Sequence, residues 1–107
     1  MYVLGSQEAV RPIAQSMIFA SKEKLNALIM EYFNPKDRAH NYVMINSISL
    51  AATHLTVIVR KTLAPFLSDI KNDTLAIGFG DALSNKGSVC ISFKMGLIRM
   101  LFINCHL

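Results

Sequence analysis

The chain has 107 residues, of which 52% are apolar and 17% charged, so it has the size of a single domain. Its mean hydropathy of +0.37 excludes a disordered chain, because disorder requires low hydrophobicity and high charge. The formal charge of +4 favours anionic partners without choosing among phosphates, nucleic acid and anionic lipid. The sequence shows no signal-peptide pattern and no run of ~20 apolar residues, so we expect a cytoplasmic protein whose membrane contact is at most peripheral.

The two cysteines, Cys90 and Cys105, each lie in an apolar run typical of a strand. Neither has the spacing of a metal site. This pattern predicts two buried free thiols in a reducing compartment, with a disulfide as the alternative.

The predicted elements begin with a short strand, Tyr2 to Leu4, which ends at Gly5 and Ser6 and leads Gln7 and Glu8 into a loop. An amphipathic helix is predicted between Arg11 and Phe33, where Asn34 and Pro35 end it. We expect this helix to pack on the outer face of a sheet through four apolar side chains, Met17, Leu25, Leu28 and Ile29.

The rest of the chain has the short β-branched and aromatic runs of strands. The predicted strands are Tyr42 to Leu50, Leu55 to Arg60, an irregular or edge segment from Leu63 to Ile70, Asp73 to Ile77, and Val89 to Met95. Gly96 marks a turn, and Leu97 to Leu107 is apolar enough for a central strand buried on both faces. The predicted fold class is therefore α+β, with antiparallel strands.

Two positions suggest chemistry at the ends of strands. Glu8 follows the first strand, and a carboxylate held there suits Mg²⁺, which takes one or two protein carboxylates. The alternative is a solvated loop residue. Asn104 and His106 lie two apart on the last strand and so share a face. They offer an amide and an imidazole to a phosphoryl oxygen, or else form an ordinary core contact to backbone.

The segment from Gly78 to Gly87 is rich in glycine and carries Lys86, a point charge suited to phosphate. The alternative is a plain hairpin loop. We expect His40 and His54 at the surface, and we assign no role to the basic pair Arg60 and Lys61 at a strand end.

Four segments carry a family resemblance in chain order: YVLGSQE from Tyr2, LTVIVRK from Leu55, LSNKGSV from Leu83 and FINCHL from Phe102. They resemble successive blocks of the inositol polyphosphate 5-phosphatase catalytic domain, in the endonuclease/exonuclease/phosphatase superfamily with the DNase I-like fold. The resemblance implies that residues 1–107 are part of that domain, an incomplete DNase I-like α/β sandwich. It implies a Mg²⁺-dependent phosphatase acting on the 5-phosphate of phosphoinositides or soluble inositol polyphosphates, and no nucleic acid partner.

The resemblance also implies roles for particular residues. Glu8 matches the catalytic glutamate that binds magnesium, and His106 matches the catalytic histidine that contacts the scissile phosphate. Asn85 and Lys86 match the loop that faces the substrate phosphates, whereas Asn104 matches a structural position. We therefore expect Glu8 and His106 to open onto one cleft with Lys86 at its rim.

The chain also departs from the family pattern. Ser84 stands where a glycine is usual, and no segment matches the later Gly-Asp-x-Asn or Ser-Asp-His blocks. We therefore expect a fragment that is almost inactive alone. A nuclease of the same superfamily and a non-catalytic fragment remain the alternatives. We also expect the segments Tyr2 to Leu4 and Phe102 to His106 to be neighbours in one sheet.

Overall fold

A computed structural model describes residues 1–7, 18–77 and 86–107, with side chains of the helix described from Lys22 onward. The elements in chain order are β1 (Tyr2–Gln7), α1 (Ile18–Phe33), β2 (Tyr42–Leu50), β3 (Thr53–Arg60), a short 3-10 helix (Ala64–Phe66), β4 (Leu67–Ala76), β5 (Gly87–Met95) and β6 (Ile98–His106). The α+β class is confirmed.

The strands form two antiparallel three-stranded sheets that pack face to face. Sheet A has the order β1-β3-β2 and sheet B the order β4-β5-β6. The alternating apolar residues of the two middle strands, β3 and β5, meet between the sheets, because successive side chains of a strand point to opposite faces. The buried core that results contains Leu55, Val57, Val59, Val89, Ile91 and Phe93, together with Leu67 of β4.

The expectation that Tyr2 to Leu4 and Phe102 to His106 share a sheet is wrong. β1 pairs with β3, and β6 pairs with β5. The reason is local: the turn at Gly96, where φ is +59°, folds β6 directly back onto β5. The two segments still meet, but across the interface between the sheets rather than side by side.

The first strand is longer than predicted, since β1 continues through Gly5 and Ser6 to Gln7. Gly5 pairs with Leu55 in the register of sheet A, so it extends the strand instead of ending it. As a result Gln7 belongs to the sheet, and the chain leaves β1 just before Glu8.

The helix packs on the outer side of sheet A, as predicted, but with a face that agrees only in part with the predicted one. Leu25 and Ile29 face the protein as expected, but Leu28 is 64% exposed and Met17 lies outside the described residues. Two contacts set the rotation. The hydroxyl of Ser47 on β2 donates to Asn26 Oδ1 (3.0 Å), and Phe33 packs against the rings of Tyr2 and Tyr42 at centroid distances of 4.8 and 5.3 Å.

The predicted end of the helix at Asn34 is confirmed. The side chain of Asn34 binds the backbone of Tyr42 twice: its Nδ2 donates to the carbonyl oxygen (2.8 Å) and its Oδ1 accepts from the amide N–H (3.0 Å). This pair of hydrogen bonds ties the helix end to the start of β2.

The connection between β2 and β3 is shorter than predicted. Only Ala51 and Ala52 form the turn, with Ala51 at φ +48°, and Thr53 and His54 already belong to β3. The segment after Pro65 is a single edge strand, β4, whose pairing shifts between Ser68 and Lys71. Asp69, at φ +52°, lies in that irregularity.

The prediction that the last strand is buried on both faces is wrong for this chain. β6 forms one edge of sheet B, and on its outer face Leu101 and Ile103 are 59% and 57% exposed. The cysteine prediction is correct in part, because both thiols are free, but Cys90 is half-buried and Cys105 is exposed.

Candidate functional site

The strand ends at which the sequence predicts site residues lie at one end of the two-sheet sandwich. The last residue of β1, Gln7, pairs with Thr53 at the start of β3, and the last residue of β6, His106, pairs with Gly87 at the start of β5. The antiparallel pairing therefore brings segments from both ends of the sequence to the same end of the fold. We call this end the cleft end.

Asn104 joins the two sheets at the cleft end. Its Nδ2 donates to the carbonyl oxygens of Ser6 (3.0 Å) and His54 (2.9 Å), and its Oδ1 accepts a hydrogen bond from Gln7 Nε2 (3.1 Å). Gln7 Nε2 also donates to the carbonyl oxygen of Cys105. These bonds give Asn104 a structural role and fix the end of β1 against the end of β6.

Gly5 explains how Asn104 reaches sheet A. A Cβ placed on Gly5 would lie 3.2 Å from Asn104 Nδ2 and 3.3 Å from its Cγ. The missing side chain leaves the space that the amide occupies. The sequence predicts Gly5 only as the end of a strand and predicts no contact for Gln7, although the two residues lie on the same face of β1.

Lys86 and His106 are brought together, with 3.1 Å between Lys86 Nζ and His106 Nε2. An ammonium group has only donors, so in this contact Lys86 Nζ donates to the imidazole Nε2. His106 is 8% exposed and shares the inner face of β6 with Asn104, as their spacing predicted. The pair forms a polar, positively charged group beside the buried core.

The backbone holds Lys86 in place from both sides. Its carbonyl oxygen accepts a hydrogen bond from the N–H of Ile77 (3.0 Å). Gly87, the next residue, is packed so tightly that a Cβ would lie 2.3 Å from the carbonyl oxygen of Leu75 and 2.6 Å from Leu50 Cδ2. The glycine of the Asn-Lys-Gly segment is therefore required by close packing at the start of β5.

His54 was expected at the surface, and that expectation is wrong, since it is 6% exposed in the middle strand of sheet A. Its Nδ1 lies 2.6 Å from the Ser49 hydroxyl. Burial lowers the pKa of this imidazole, and the charge of Lys22 lowers it further. The sequence would have predicted the burial of His54 only if the turn before His54 had been known to take two residues. His40 is exposed, as predicted.

Two predicted site residues, Glu8 and Asn85, lie outside the described residues. In the described ranges, which omit both, no group of three or more His, Cys, Asp or Glu side chains could hold a metal ion. The metal assignment therefore stays a prediction. No helix in the described part of the chain is long and apolar enough to cross a membrane.

Comparisons with known proteins agree with this architecture. The model of endonuclease/exonuclease/phosphatase family 2 matches residues 1–107. Human synaptojanin-2 is 29% identical over 107 residues, and human synaptojanin-1 is 29% identical over 106 residues. A type II inositol polyphosphate 5-phosphatase of Arabidopsis thaliana is 34% identical over 70 residues, which is 65% of this chain and 6% of that protein. The chain covers 7% of the length of either synaptojanin.

A solved structure is similar over almost the whole chain. It is the inositol polyphosphate 5-phosphatase domain of SPsynaptojanin in complex with inositol (1,4)-bisphosphate and calcium ion. The TM-score is 0.81 at 26% sequence identity, and the match covers 99% of this chain and 30% of the other. The DNase I-like two-sheet fold is thereby confirmed for this part of the domain.

Proposed function

Because the chain belongs to endonuclease/exonuclease/phosphatase family 2, we propose that residues 1–107 form part of an inositol polyphosphate 5-phosphatase catalytic domain. The substrates are phosphoinositides or soluble inositol polyphosphates, from which the 5-phosphate is removed. The observation that carries this proposal is the Lys86–His106 pair, 3.1 Å apart at the cleft end. The relatives' names and the inositol bisphosphate in the similar structure support it.

Phosphoryl transfer requires mainly positioning and stabilisation of charge on the phosphoryl oxygens. Lys86 supplies a positive charge there, and the imidazole of His106 supplies a hydrogen-bonding partner oriented by its contact with Lys86. Asn85, adjacent to Lys86 in sequence, adds an amide for the substrate phosphates. Asn104 and Gln7 act on these groups indirectly, because they hold the ends of β1 and β6 together.

Glu8 follows Gln7 directly, and Gln7 is bound to β6 beside His106. The carboxylate of Glu8 supplies the oxygen ligands that Mg²⁺ prefers, so we assign Glu8 as a magnesium ligand. Bound Mg²⁺ would stabilise negative charge on the phosphoryl group. The remaining ligands and the base for the attacking water would come from other parts of the catalytic domain, since the similar structure is about three times longer.

The test is phosphate release from an inositol 5-phosphate substrate, with and without Mg²⁺, by the complete protein that carries these residues. We expect Glu8→Gln, Lys86→Gln and His106→Ala each to lower kcat by about 100-fold or more. The matched control is Lys94→Gln, an exposed lysine at the other end of β5, with unchanged turnover.

Two outcomes would overturn the proposal. One is full phosphate release by the Lys86 and His106 variants. The other is nicking of plasmid DNA without phosphate release from the inositol substrate, which would favour the nuclease.

For residues 1–107 alone we expect almost no turnover. A phosphoinositide substrate would place the protein at the cytoplasmic surface of a membrane.

A further inference from the structure

A hollow lies at the end of sheet A opposite the cleft end. It has a volume of about 350 Å³ and is lined by Asn41, Tyr42, Arg60, Lys61 and Thr62. Tyr42 pairs with Arg60 at this end of the sheet, whereas Gln7 pairs with Thr53 at the other. Seven residue steps along β3 separate the two ends by roughly 23 Å, so the hollow is separate from the Lys86–His106 pair.

The backbone of the hollow is closed by hydrogen bonds. The N–H of Lys61 donates to the carbonyl oxygen of Asn41 (2.8 Å), which joins the two walls. The N–H of Leu63 donates to the carbonyl oxygen of Arg60 (2.8 Å), which folds Lys61 and Thr62 into a turn over the strand end. The residues that line the hollow are therefore fixed relative to each other.

Arg60 lies directly opposite Tyr42 in the pairing of β2 with β3. Its guanidinium interacts with the phenol of Tyr42 and lowers the pKa of that group. Tyr42 is itself held by the ring of Phe33 at 5.3 Å and the ring of Tyr2 at 5.8 Å. The packed ring of Tyr42 gives the neighbouring guanidinium a fixed surface, and restricted groups lose less conformational freedom when they bind a ligand.

The basic residues of the hollow form no ion pair with the carboxylates in the described part of the chain. Among residues 1–7, 18–77 and 86–107, no carboxylate is in ion-pair contact with Arg60 or Lys61, whereas Asp69 elsewhere contacts both Lys71 and Arg99. Residues that carry a guanidinium, an ammonium, a hydroxyl and an amide thus line one concave space. These are the groups that bind phosphoryl oxygens.

We propose that this hollow is a second anion site, which binds a phosphoryl group of free phosphate or of a lipid headgroup. It does not depend on the catalytic assignment, because none of its residues lies at the cleft end. It also gives a role to the Arg60-Lys61 pair, to which sequence reasoning assigned none.

The experiment is a titration of the isotope-labelled full chain, followed by amide chemical shifts, with two probes. The first is inorganic phosphate, and the second is phosphatidylcholine vesicles with or without phosphatidic acid. We expect saturable shifts or broadening at Asn41, Lys61 and Thr62 with at least one probe. If these amides respond to phosphate and not to vesicles, the site binds free phosphate. If they respond only to vesicles that contain phosphatidic acid, the site binds a lipid headgroup.

The variant is the double substitution Arg60→Gln with Lys61→Gln, for which we expect at least about tenfold weaker binding at these amides. The matched control, Lys24→Gln with Lys94→Gln, removes the same charge from two exposed positions elsewhere and should change affinity less than about twofold. The proposal is overturned if neither probe shifts these three amides, or if the variant and the control weaken binding equally. Shifts confined to Lys86 and Gly87 would also overturn it, while leaving the catalytic assignment intact.

Discussion

At the scale of single residues, the amide of Asn104 links the two sheets. Its replacement by alanine removes the hydrogen bonds to the carbonyl oxygens of Ser6 and His54 and to Gln7. We expect Asn104→Ala to lower the free energy of unfolding by about 1–3 kcal/mol, because two partly buried carbonyl groups lose their donor. Urea denaturation measures this change.

The control for this prediction is Cys105→Ala. Cys105 is the next residue, but its side chain lies on the exposed outer face of β6. We expect a change within about 0.5 kcal/mol. An equal loss of stability in the two variants would show that the amide of Asn104 is not what joins the sheets.

His54 makes stability depend on pH. Burial lowers its pKa in the folded state, so the unfolded chain takes up a proton first as the pH falls. The contribution of neutral His54 is fully present above the unfolded pKa of about 6.5, and it is lost as the pH falls from there towards the folded pKa. Denaturation midpoints of the chain should therefore decrease below pH ~6.5.

The pH effect is tested by comparing the pH dependence of stability in variants of two histidines, His54 and His40. We expect His54→Gln to flatten the decrease, because glutamine does not titrate in this range. His40→Gln should leave it unchanged, since His40 is exposed. If the His54→Gln protein keeps the full slope, another group causes the pH dependence.

At the scale of elements, Gly87 sets the start of β5. An alanine Cβ would lie 2.3 Å from the backbone oxygen of Leu75, which cannot move without disturbing the β4–β5 pairing. We expect Gly87→Ala to destabilise the fold by about 1–3 kcal/mol and to shift the amide resonance of Lys86. Urea denaturation and amide spectra of the two proteins measure both effects.

Gly96 provides the matched control. It also has positive φ, +59°, but a Cβ there would meet nothing within 4 Å. Asparagine tolerates this conformation, so Gly96→Asn should cost less than about 1 kcal/mol. A larger loss at Gly96 than at Gly87 would contradict the role given to close packing.

Local pattern was enough to predict most of the elements. Alternation at Val89 to Met95 and proline after Asn34 placed β5 and the helix end correctly, because each depends on neighbouring residues. The buried face of α1 was partly wrong. Its rotation is set by a hydrogen bond from Ser47 and by contacts of Phe33 with Tyr2 and Tyr42, which are distant in sequence, and hydrophobic spacing does not show them.

In the candidate site, too, features set by neighbouring residues could be predicted, and features set by distant residues could not. The shared face of Asn104 and His106 follows from strand geometry, so it could be predicted. The burial of His54 could not, because it depends on whether the turn after Leu50 takes two or four residues. The position of β1 beside β3 rather than β6 depends on pairing between distant segments, which no local pattern specifies.

At the scale of the whole molecule, the two sheets differ in how they are covered. Sheet A has the core on one side and α1 on the other. The outer face of sheet B carries apolar side chains that are largely exposed in the described chain, among them Leu75 (62%), Leu101 (59%) and Ile103 (57%). Across the strands Ile103 pairs with Cys90, whereas Leu101 and Leu75 pair with the small side chains of Ser92 and Ser88.

An exposed apolar sheet face with an open edge strand promotes association. We therefore expect the 107-residue chain to self-associate in sedimentation velocity experiments as its concentration rises, and the double variant Leu101→Thr with Ile103→Thr to shift it towards monomer. Threonine keeps the strand preference while removing apolar area from the outer face of β6. Leu28→Gln is the control, since Leu28 is 64% exposed on α1, far from sheet B, and should leave association unchanged. A chain that stays monomeric, or an equal effect of the Leu28 substitution, would show that the outer face of sheet B does not drive association.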